Sequence, residues 1–341
     1  MNRTESVAGH PNAEMRIHAE LTADLNGFQR GAVLHALAAL DVVGLIRDGA
    51  DTCERACERL GADASALARL LDAAVRFGLL AREDDATYRV TERGALLDPA
   101  HPMSVHPYAR LSVEQYWPAW ARIAEAVRTG ETAFDKVFGC TPWEYRRDRP
   151  EQGAIFDTWQ GGESRKVLGQ IMQRLDLSMH RTVADIAGGS GALVEACLER
   201  WPHLRATLFE QPHTLAARQH RFGERLQLVA GDFFREVPVA ADCLLLKSVL
   251  HDWGDAEAVA ILSNCRRAMR DDTRLVIVER VLCEGVSDGA YMIDLHMLLV
   301  TGGRERTLAQ YAALARRAGI EVAGMTRTAG DFSLVECRAA S

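Results

Sequence analysis

Lysine is scarce among the 40 basic residues of this 341-residue chain, and 47 acidic residues bring the formal charge to −7. A nucleic acid or an anionic membrane surface needs a basic footprint, so neither is expected as a partner. Long apolar runs are missing as well. The most apolar helix-like stretch, Gly31 to Ile46, is interrupted by His35 and Asp41, and the opening Met1-Asn-Arg-Thr-Glu-Ser6 has no apolar signal core. No membrane span and no secretion are therefore expected, and a cytoplasmic location is. Eight cysteines stand at 53, 57, 140, 197, 243, 265, 283 and 337. Cys53 and Cys57 are one helical turn apart, but no second pair of soft ligands completes a zinc set, which leaves free thiols in a reducing compartment. The G-x-G-x-x-G turn of a dinucleotide site is absent too. The remaining composition, 48% hydrophobic and 26% charged, is that of a globular protein with room for two domains.

The most informative stretch is Val183-Ala-Asp-Ile-Ala-Gly-Gly-Ser-Gly191, an apolar run that ends in clustered glycines and holds an acid. Gly188, Gly189 and Gly191 allow a tight strand-to-helix turn and a close approach to main-chain atoms. About twenty residues on, Ala206 to Phe209 ends in Glu210, and Leu226 to Ala230 ends in Gly231-Asp232-Phe233-Phe234. Glu210 can accept hydrogen bonds from two ribose hydroxyls, Asp232 from an adenine amino group, and Phe233 can pack on the ring. An acid inside the glycine motif, Asp185, suits a positively charged cofactor better than one carrying phosphates. S-adenosylmethionine, with its sulfonium and ammonium groups, fits that description.

A fourth segment, Leu244-Leu-Leu-Lys-Ser-Val-Leu-His-Asp-Trp-Gly-Asp255, resembles the L-K-x-x-L-H-D-W-x-D signature of the plant-caffeate-type family of S-adenosylmethionine-dependent O-methyltransferases, which has a bacterial natural-product branch. The three earlier motifs also match that family in order: D-V-G-G-G-x-G at Asp185 to Gly191, the ribose acid at Glu210, and G-D-[MF]-F at Gly231 to Phe234. Val276-Ile-Val-Glu279 and Gly302-Gly-Arg-Glu-Arg-Thr307 resemble its glutamate-bearing strand end and its G-G-x-E-R-T turn. Met292 to Leu298 resembles its substrate-lining helix. Ala187 is a departure, standing where the family usually has its first glycine. The resemblance implies S-adenosylmethionine as cofactor and S-adenosylhomocysteine as product. The cofactor would be held by Asp185, Ala187, Gly188, Gly189, Gly191, Glu210, Asp232, Phe233, Lys247, Ser248 and Trp253. It implies Phe156, Trp159, Asp252, Asp294 and Met297 at the acceptor, and a homodimer formed through the N-terminal domain.

Three regions follow along the chain. Residues 1–98 read as a polar arm to about residue 25, then helices at Ala32–Leu45, Thr52–Leu60 and Ala64–Phe77, then two short strands about the acidic turn Glu83-Asp84-Asp85. Three helices and a hairpin make a winged helix, which raises the alternative of a DNA-binding regulator. The candidate recognition helix carries two arginines and is otherwise mostly apolar, so it serves helix-to-helix packing better than phosphate contacts. Residues 99–178 form a helical connector rich in aromatics that contributes to the acceptor pocket. Residues 179–341 alternate strand and helix: strands 182–187, 206–209, 226–230, 242–247 and 273–279, and helices 191–200, 213–221, 255–269 and 307–318. The last strands, 320–327 and 332–338, are joined too closely to be parallel. The fold class is thus a Rossmann-like α/β methyltransferase domain, mostly parallel with an antiparallel end, behind an all-helical or winged-helix domain.

The catalytic expectation rests on His251, Glu279 and Glu305, because the resemblance implies a histidine base in the L-H-D-W stretch flanked by two glutamates at these positions. A phenol with a pKa near 10 needs a base as its oxygen attacks, and histidine suits that role. A carboxylate against the second ring nitrogen would hold the tautomer. Asp252 and Asp255 also have ordinary roles open to them, as a turn acid and a helix N-cap, and Asp294 has a structural one. No metal is expected, since no carboxylate cluster at the methyl-transfer site is evident. The family includes relatives that hydroxylate or decarboxylate aromatic polyketides, and an N-acceptor remains the other alternative. Alanine- and arginine-rich composition points to a high-GC bacterium, and a polycyclic acceptor such as a hydroxyphenazine or polyketide phenol suits the six tryptophans.

Overall fold

The computed structural model describes residues 11–216 and 222–340. They form two units, residues up to 114 and residues from 115 onward.

In the first unit the stretch expected as a polar arm is helical from Pro11 to Leu25; residues 1–10 lie outside the described residues. The single helix expected over Ala32–Leu45 is two, Gly27–Ala39 and Val42–Arg47. The break is at Asp41, whose φ of 48° is left-handed, a conformation that a short polar side chain tolerates and that a helix cannot contain. Gly44 makes room for it, because a Cβ there would fall 2.6 Å from an Asp41 carboxylate oxygen. Cys53–Leu60 and Ala64–Arg76 follow, started by the Thr52 hydroxyl and the Asp63 carboxylate, which accept from the Arg55 and Ala66 amides. Strands β1 (Leu80–Arg82) and β2 (Tyr88–Val90) pair antiparallel. Leu37, Val42, Val43, Leu67, Leu71, Leu80 and Tyr88 close one core beneath them.

The second unit is built on seven strands: β3 (Thr182–Ile186), β4 (Arg205–Glu210), β5 (Leu226–Ala230), β6 (Cys243–Lys247), β7 (Arg274–Arg280), β8 (Ile320–Arg327) and β9 (Phe332–Ala339). Their order is β5-β4-β3-β6-β7-β9-β8. β5 to β7 run parallel, β9 is antiparallel to β7, and β8 is antiparallel to β9. The parallel strands are apolar on both faces, as a sheet wrapped by helices requires. In β6, Leu244 and Leu246 enter one core while Cys243 and Leu245 enter the other. Each such leucine contributes about 1.5–3 kcal/mol by leaving water. Chain order reverses at β3, with β4 on one side and β6 on the other, and ligands of open parallel sheets bind at the carboxyl ends flanking such a switch. Of the helix expected at 213–221, Pro212–Ala216 is described and 217–221 lie outside the described residues. Helices that include Pro142–Asp148 and the 23-residue Pro150–Met172 precede the sheet.

Candidate active site

β3 leads into Ala187-Gly-Gly-Ser-Gly191, with Ala187, Gly189 and Gly191 all left-handed at φ of 55°, 52° and 67°. A Cβ on Gly188 would lie 2.5 Å from the Asp185 carboxylate, which is buried beneath the loop. At the end of β4 the Glu210 Oε2 accepts from the Gly189 amide at 2.9 Å and Oε1 from the Gln211 amide at 2.7 Å. Burial pushes the Glu210 carboxyl up, and those two amides pull it back toward the charged form. At the end of β5, Gly231 leaves space for the Phe209 ring, and the Asp232 carboxylate accepts from the Phe234 amide at 2.9 Å. Phe233 meets Trp253 edge to face, with ring centres 6.0 Å apart. Lys247 ends β6, donating to the Ser164 hydroxyl at 3.1 Å, and burial lowers its pKa. Ser248 is left-handed and donates its amide to the Val278 carbonyl. A glycine-rich turn, a carboxylate already turned toward its amide, and an aromatic pair at the third strand end suit a nucleoside-bearing cofactor.

β6 then turns through Leu250–Asp252, and this turn is held from two sides. From β7, the buried Glu279 Oε1 accepts from the amides of Val249 and Leu250, both at 2.9 Å. From the turn at 301–306, the Arg304 amide donates to the His251 carbonyl at 2.8 Å. Gly303 permits that approach, since a Cβ there would collide with the His251 carbonyl and lie 2.7 Å from the Trp253 nitrogen. Arg306 completes the clamp. Its guanidinium donates to the Leu250 and Trp253 carbonyls at 2.8 Å and pairs with Asp255. The Asp255 carboxylate is thus committed to Arg306, and Gly254 rather than Asp255 is the N-cap of helix Asp255–Ala268.

The clamp sets His251 Nδ1 2.9 Å from Glu305 Oε1 and 3.9 Å from Glu279 Oε2, with Asp252 Oδ1 3.8 Å from Nε2. Burial alone would pull the imidazole pKa down. Glu279, Asp252 and Glu305 more than reverse this and hold it at about 10. Burial in turn raises the carboxyl pKa of Glu279 and of Asp252. The expectation that no carboxylate cluster stands here is corrected: three acids surround His251, and donor atoms of His251, Glu279 and Glu305 lie within 4.8 Å of one another. The 2.9 Å contact is a direct hydrogen bond.

The expected acceptor residues are placed unevenly. Asp252 touches the histidine. Asp294 uses its carboxylate on the Glu305 amide at 2.8 Å, so it supports the turn. Met297 is buried on the same helix, Asp288–Val300. Phe156 lies under the Arg146 guanidinium and edge-on to Trp143, which stacks on Trp253 at 6.0 Å; Trp159 lies beside Lys166. Sequence reasoning gave no individual role to Arg306, Arg146, Trp143 or His296. Arg306 had a signal, in the Arg-Glu-Arg run flanking Glu305; the other three sit in helices where one side chain looks like the next.

Strand ends that present a glycine turn, an acid and an aromatic pair in series, beside a carboxylate-bound histidine, define a methyltransferase using a nucleoside cofactor. Residues 120–321 match the model of the O-methyltransferase domain and residues 24–98 that of the O-methyltransferase dimerisation domain. The chain is 36% identical to the phenazine O-methyltransferase PhzM of Lysobacter antibioticus, covering 92% of this chain and 94% of the relative. It is 32% identical to the mitomycin biosynthesis 6-O-methyltransferase of Streptomyces lavendulae, covering 98% and 99%, and 32% identical to the aclacinomycin 10-hydroxylase RdmB of Streptomyces purpurascens, covering 94% and 90%. A solved O-methyltransferase from neocarzinostatin biosynthesis, in complex with S-adenosylmethionine and 2-hydroxy-5-methyl naphthoic acid, superimposes with a TM-score of 0.81 at 30% identity, covering 91% and 96%. The chain belongs to the O-methyltransferase family and is an S-adenosylmethionine-dependent O-methyltransferase.

Proposed function

We propose that this enzyme methylates a hydroxyl group of an aromatic, polycyclic metabolite of the hydroxyphenazine or polyketide-phenol kind, with His251 as general base. The observation that carries this reading is the 2.9 Å bond between His251 Nδ1 and Glu305 Oε1 at the carboxyl end of β6. The relatives named for phenazine and mitomycin, and the solved structure holding a hydroxylated naphthoic acid, point to the same acceptor class.

The cofactor supplies an electrophilic methyl group on a sulfonium. Gly189, Glu210, Asp232, Phe233 and Trp253 would hold its nucleoside, and Lys247 and Ser248 its amino-acid end. Glu305 keeps the Nδ1 proton in place, so that in the neutral imidazole, the minor form below about pH 10, Nε2 is the atom that takes the acceptor's proton. A proton affinity of about 10 on His251 equals that of a simple phenol, so the transfer between them is close to balanced. The imidazolium formed is then stabilised by Glu279, Asp252 and Glu305. Trp143, Phe156, Trp253 and Met297 offer a dry apolar wall, which favours a step that neutralises charge. The His–Glu trio carries a proton in this reading and no metal is needed. The apolar helix face of Pro11–Leu25 and the match to a dimerisation domain support a homodimer.

The test is release of S-adenosylhomocysteine from labelled S-adenosylmethionine with a panel of mono- and polycyclic phenols, with and without a chelator. His251→Ala is expected to lose at least about 100-fold in rate while still binding cofactor, and the chelator to have no effect. The second reading, other chemistry on the same fold, is favoured by the likeness to a 10-hydroxylase. Cofactor binding with an oxygenated, unmethylated product would establish it, and unchanged turnover in His251→Ala would remove the base.

A further inference from the structure

Arg146 is a buried cation that the reaction as described leaves unused. It lies on the helix Pro142–Asp148 and is 7% exposed. Among the described residues it makes no ion pair. Its Nε donates to Gln115 Oε1 at 3.1 Å, it hydrogen bonds the Tyr116 hydroxyl, and its guanidinium carbon is 3.6 Å from the centre of the Phe156 ring and 5.6 Å from that of Trp143. Arg306, also buried, is by contrast fully committed, to Asp255 and the carbonyls of Leu250, Trp253 and Arg304.

Burying a charge among neutral partners costs several kcal/mol, a cost that a ligand's opposite charge offsets. A guanidinium carries five N–H donors in a planar fork that matches a carboxylate. Gln115 and Tyr116 use two of them. Asp252 and Asp157 act on Arg146 through space, yet neither comes within ion-pair distance.

A second donor stands next to it. The Trp120 indole donates to His296 Nδ1 at 3.1 Å, so the ring proton of His296 is on Nε2. The Tyr116 ring that bonds Arg146 also meets His296 edge-on at 4.3 Å. Burial, with the positive charges of Arg146 and His251, holds the His296 pKa down at about 4, so it stays a neutral donor. Beside Arg146, Trp143 meets Phe156 edge-on and stacks on Trp253, which follows the turn bearing His251.

We propose that Arg146, assisted by His296, anchors a carboxylate on the aromatic acceptor, so that among polycyclic phenols of the proposed kind the preferred substrate is one that also carries a carboxylic acid. The proposal rests on the methyltransferase reading above and names its substrate class. Arg146 is a specificity residue in this scheme, touching the acceptor at a point remote from the reacting oxygen.

The test compares a hydroxynaphthoic acid, its methyl ester and the parent naphthol on the wild type, Arg146→Gln and Arg146→Lys, with S-adenosylhomocysteine binding measured on each variant. The wild type is expected to favour the acid in kcat/KM by roughly 30- to 100-fold, the range of a charge-assisted pair. Arg146→Gln is expected to abolish that preference through KM, and Arg146→Lys to retain part of it, as a point charge without a fork. Equal use of acid and naphthol by the wild type overturns the proposal, as does an acid preference that survives in Arg146→Gln. If Arg146→Gln fails to bind S-adenosylhomocysteine, the lysine variant decides, and a full wild-type preference there overturns the proposal. Acid binding by calorimetry that depends on Arg146, with no methyl transfer, would sink the base mechanism and leave the anchor standing.

Discussion

At the residue scale the tightest constraint is charge around one imidazole. Glu305 contributes both a hydrogen bond and a negative charge to His251. Replacing it with glutamine keeps an acceptor for Nδ1–H and removes the charge, so the histidine pKa falls from about 10 toward its ordinary value. A base must be neutral to act, so wild-type kcat/KM for a simple phenol is expected to climb with pH up to about 10, and the climb in Glu305→Gln to end at least about one pH unit lower, with a smaller maximum. A pH–rate profile that Glu305→Gln leaves in place would contradict the arrangement. The stability that the charged imidazole adds follows the same sign. It is complete below about pH 6.5 and lost as pH rises through about 10. Ala187 is the other local constraint. A methyl-bearing residue at φ of 55° costs about 1–2 kcal/mol that glycine avoids, set against about 0.4–1 kcal/mol of added chain entropy in the unfolded state. Ala187→Gly should therefore raise stability by up to about 1 kcal/mol, seen as a higher Tm; a lower Tm would show that the turn is not strained.

At the scale of elements, His251 is placed by a turn and two strands meeting it. β6 delivers His251, β7 delivers Glu279 to the Val249 and Leu250 amides, and the 301–306 turn seals the other side through Arg304 and Arg306. The fit depends on Gly303, where no Cβ can be accommodated against the His251 carbonyl. Gly303→Ala is expected to cost about 1–3 kcal/mol in a chemical melt and to depress kcat far more than cofactor affinity. Retention of full kcat would mean that the turn can withdraw without moving the histidine. These elements were legible in the chain because each carries its own mark. The glycine run marks a tight turn by its residue types, and the Leu-His-Asp-Trp and Gly-Gly-Arg-Glu-Arg-Thr stretches were marked by their resemblance to family motifs. The break at Asp41 was visible in the chain only as a polar residue within an apolar stretch, and it is the left-handed backbone there that divides one expected helix into two.

For the whole molecule, the long exposed apolar side chains of the helix Pro11–Leu25 matter most. Met15, Ile17, Leu21 and Leu25 are exposed, Leu25 at 76%, on a helix in the unit that matches a dimerisation domain. Apolar surface of that kind marks a contact with another chain. Sedimentation at micromolar concentration is expected to give a dimer for the wild type and a monomer for Leu21→Glu/Leu25→Glu, and a wild-type monomer would exclude that use of the helix.

Glycine turns and strand-end acids could be read in the sequence by itself, because they are local patterns tied to one backbone role each, whereas His251, Glu279 and Glu305 lie far apart in the chain and were singled out by the family resemblance. The alternating apolar runs likewise dictated a wrapped parallel sheet, since burial on both faces needs them. Tertiary structure decided what depends on proximity between distant residues. Asp294 holds the Glu305 amide, Asp255 pairs with Arg306, and Arg146 is left buried without a counter-ion between Phe156 and Trp143. An arginine in a helix reads as a solvated surface charge until packing removes the water around it, and the energy that makes it informative exists only once it is buried.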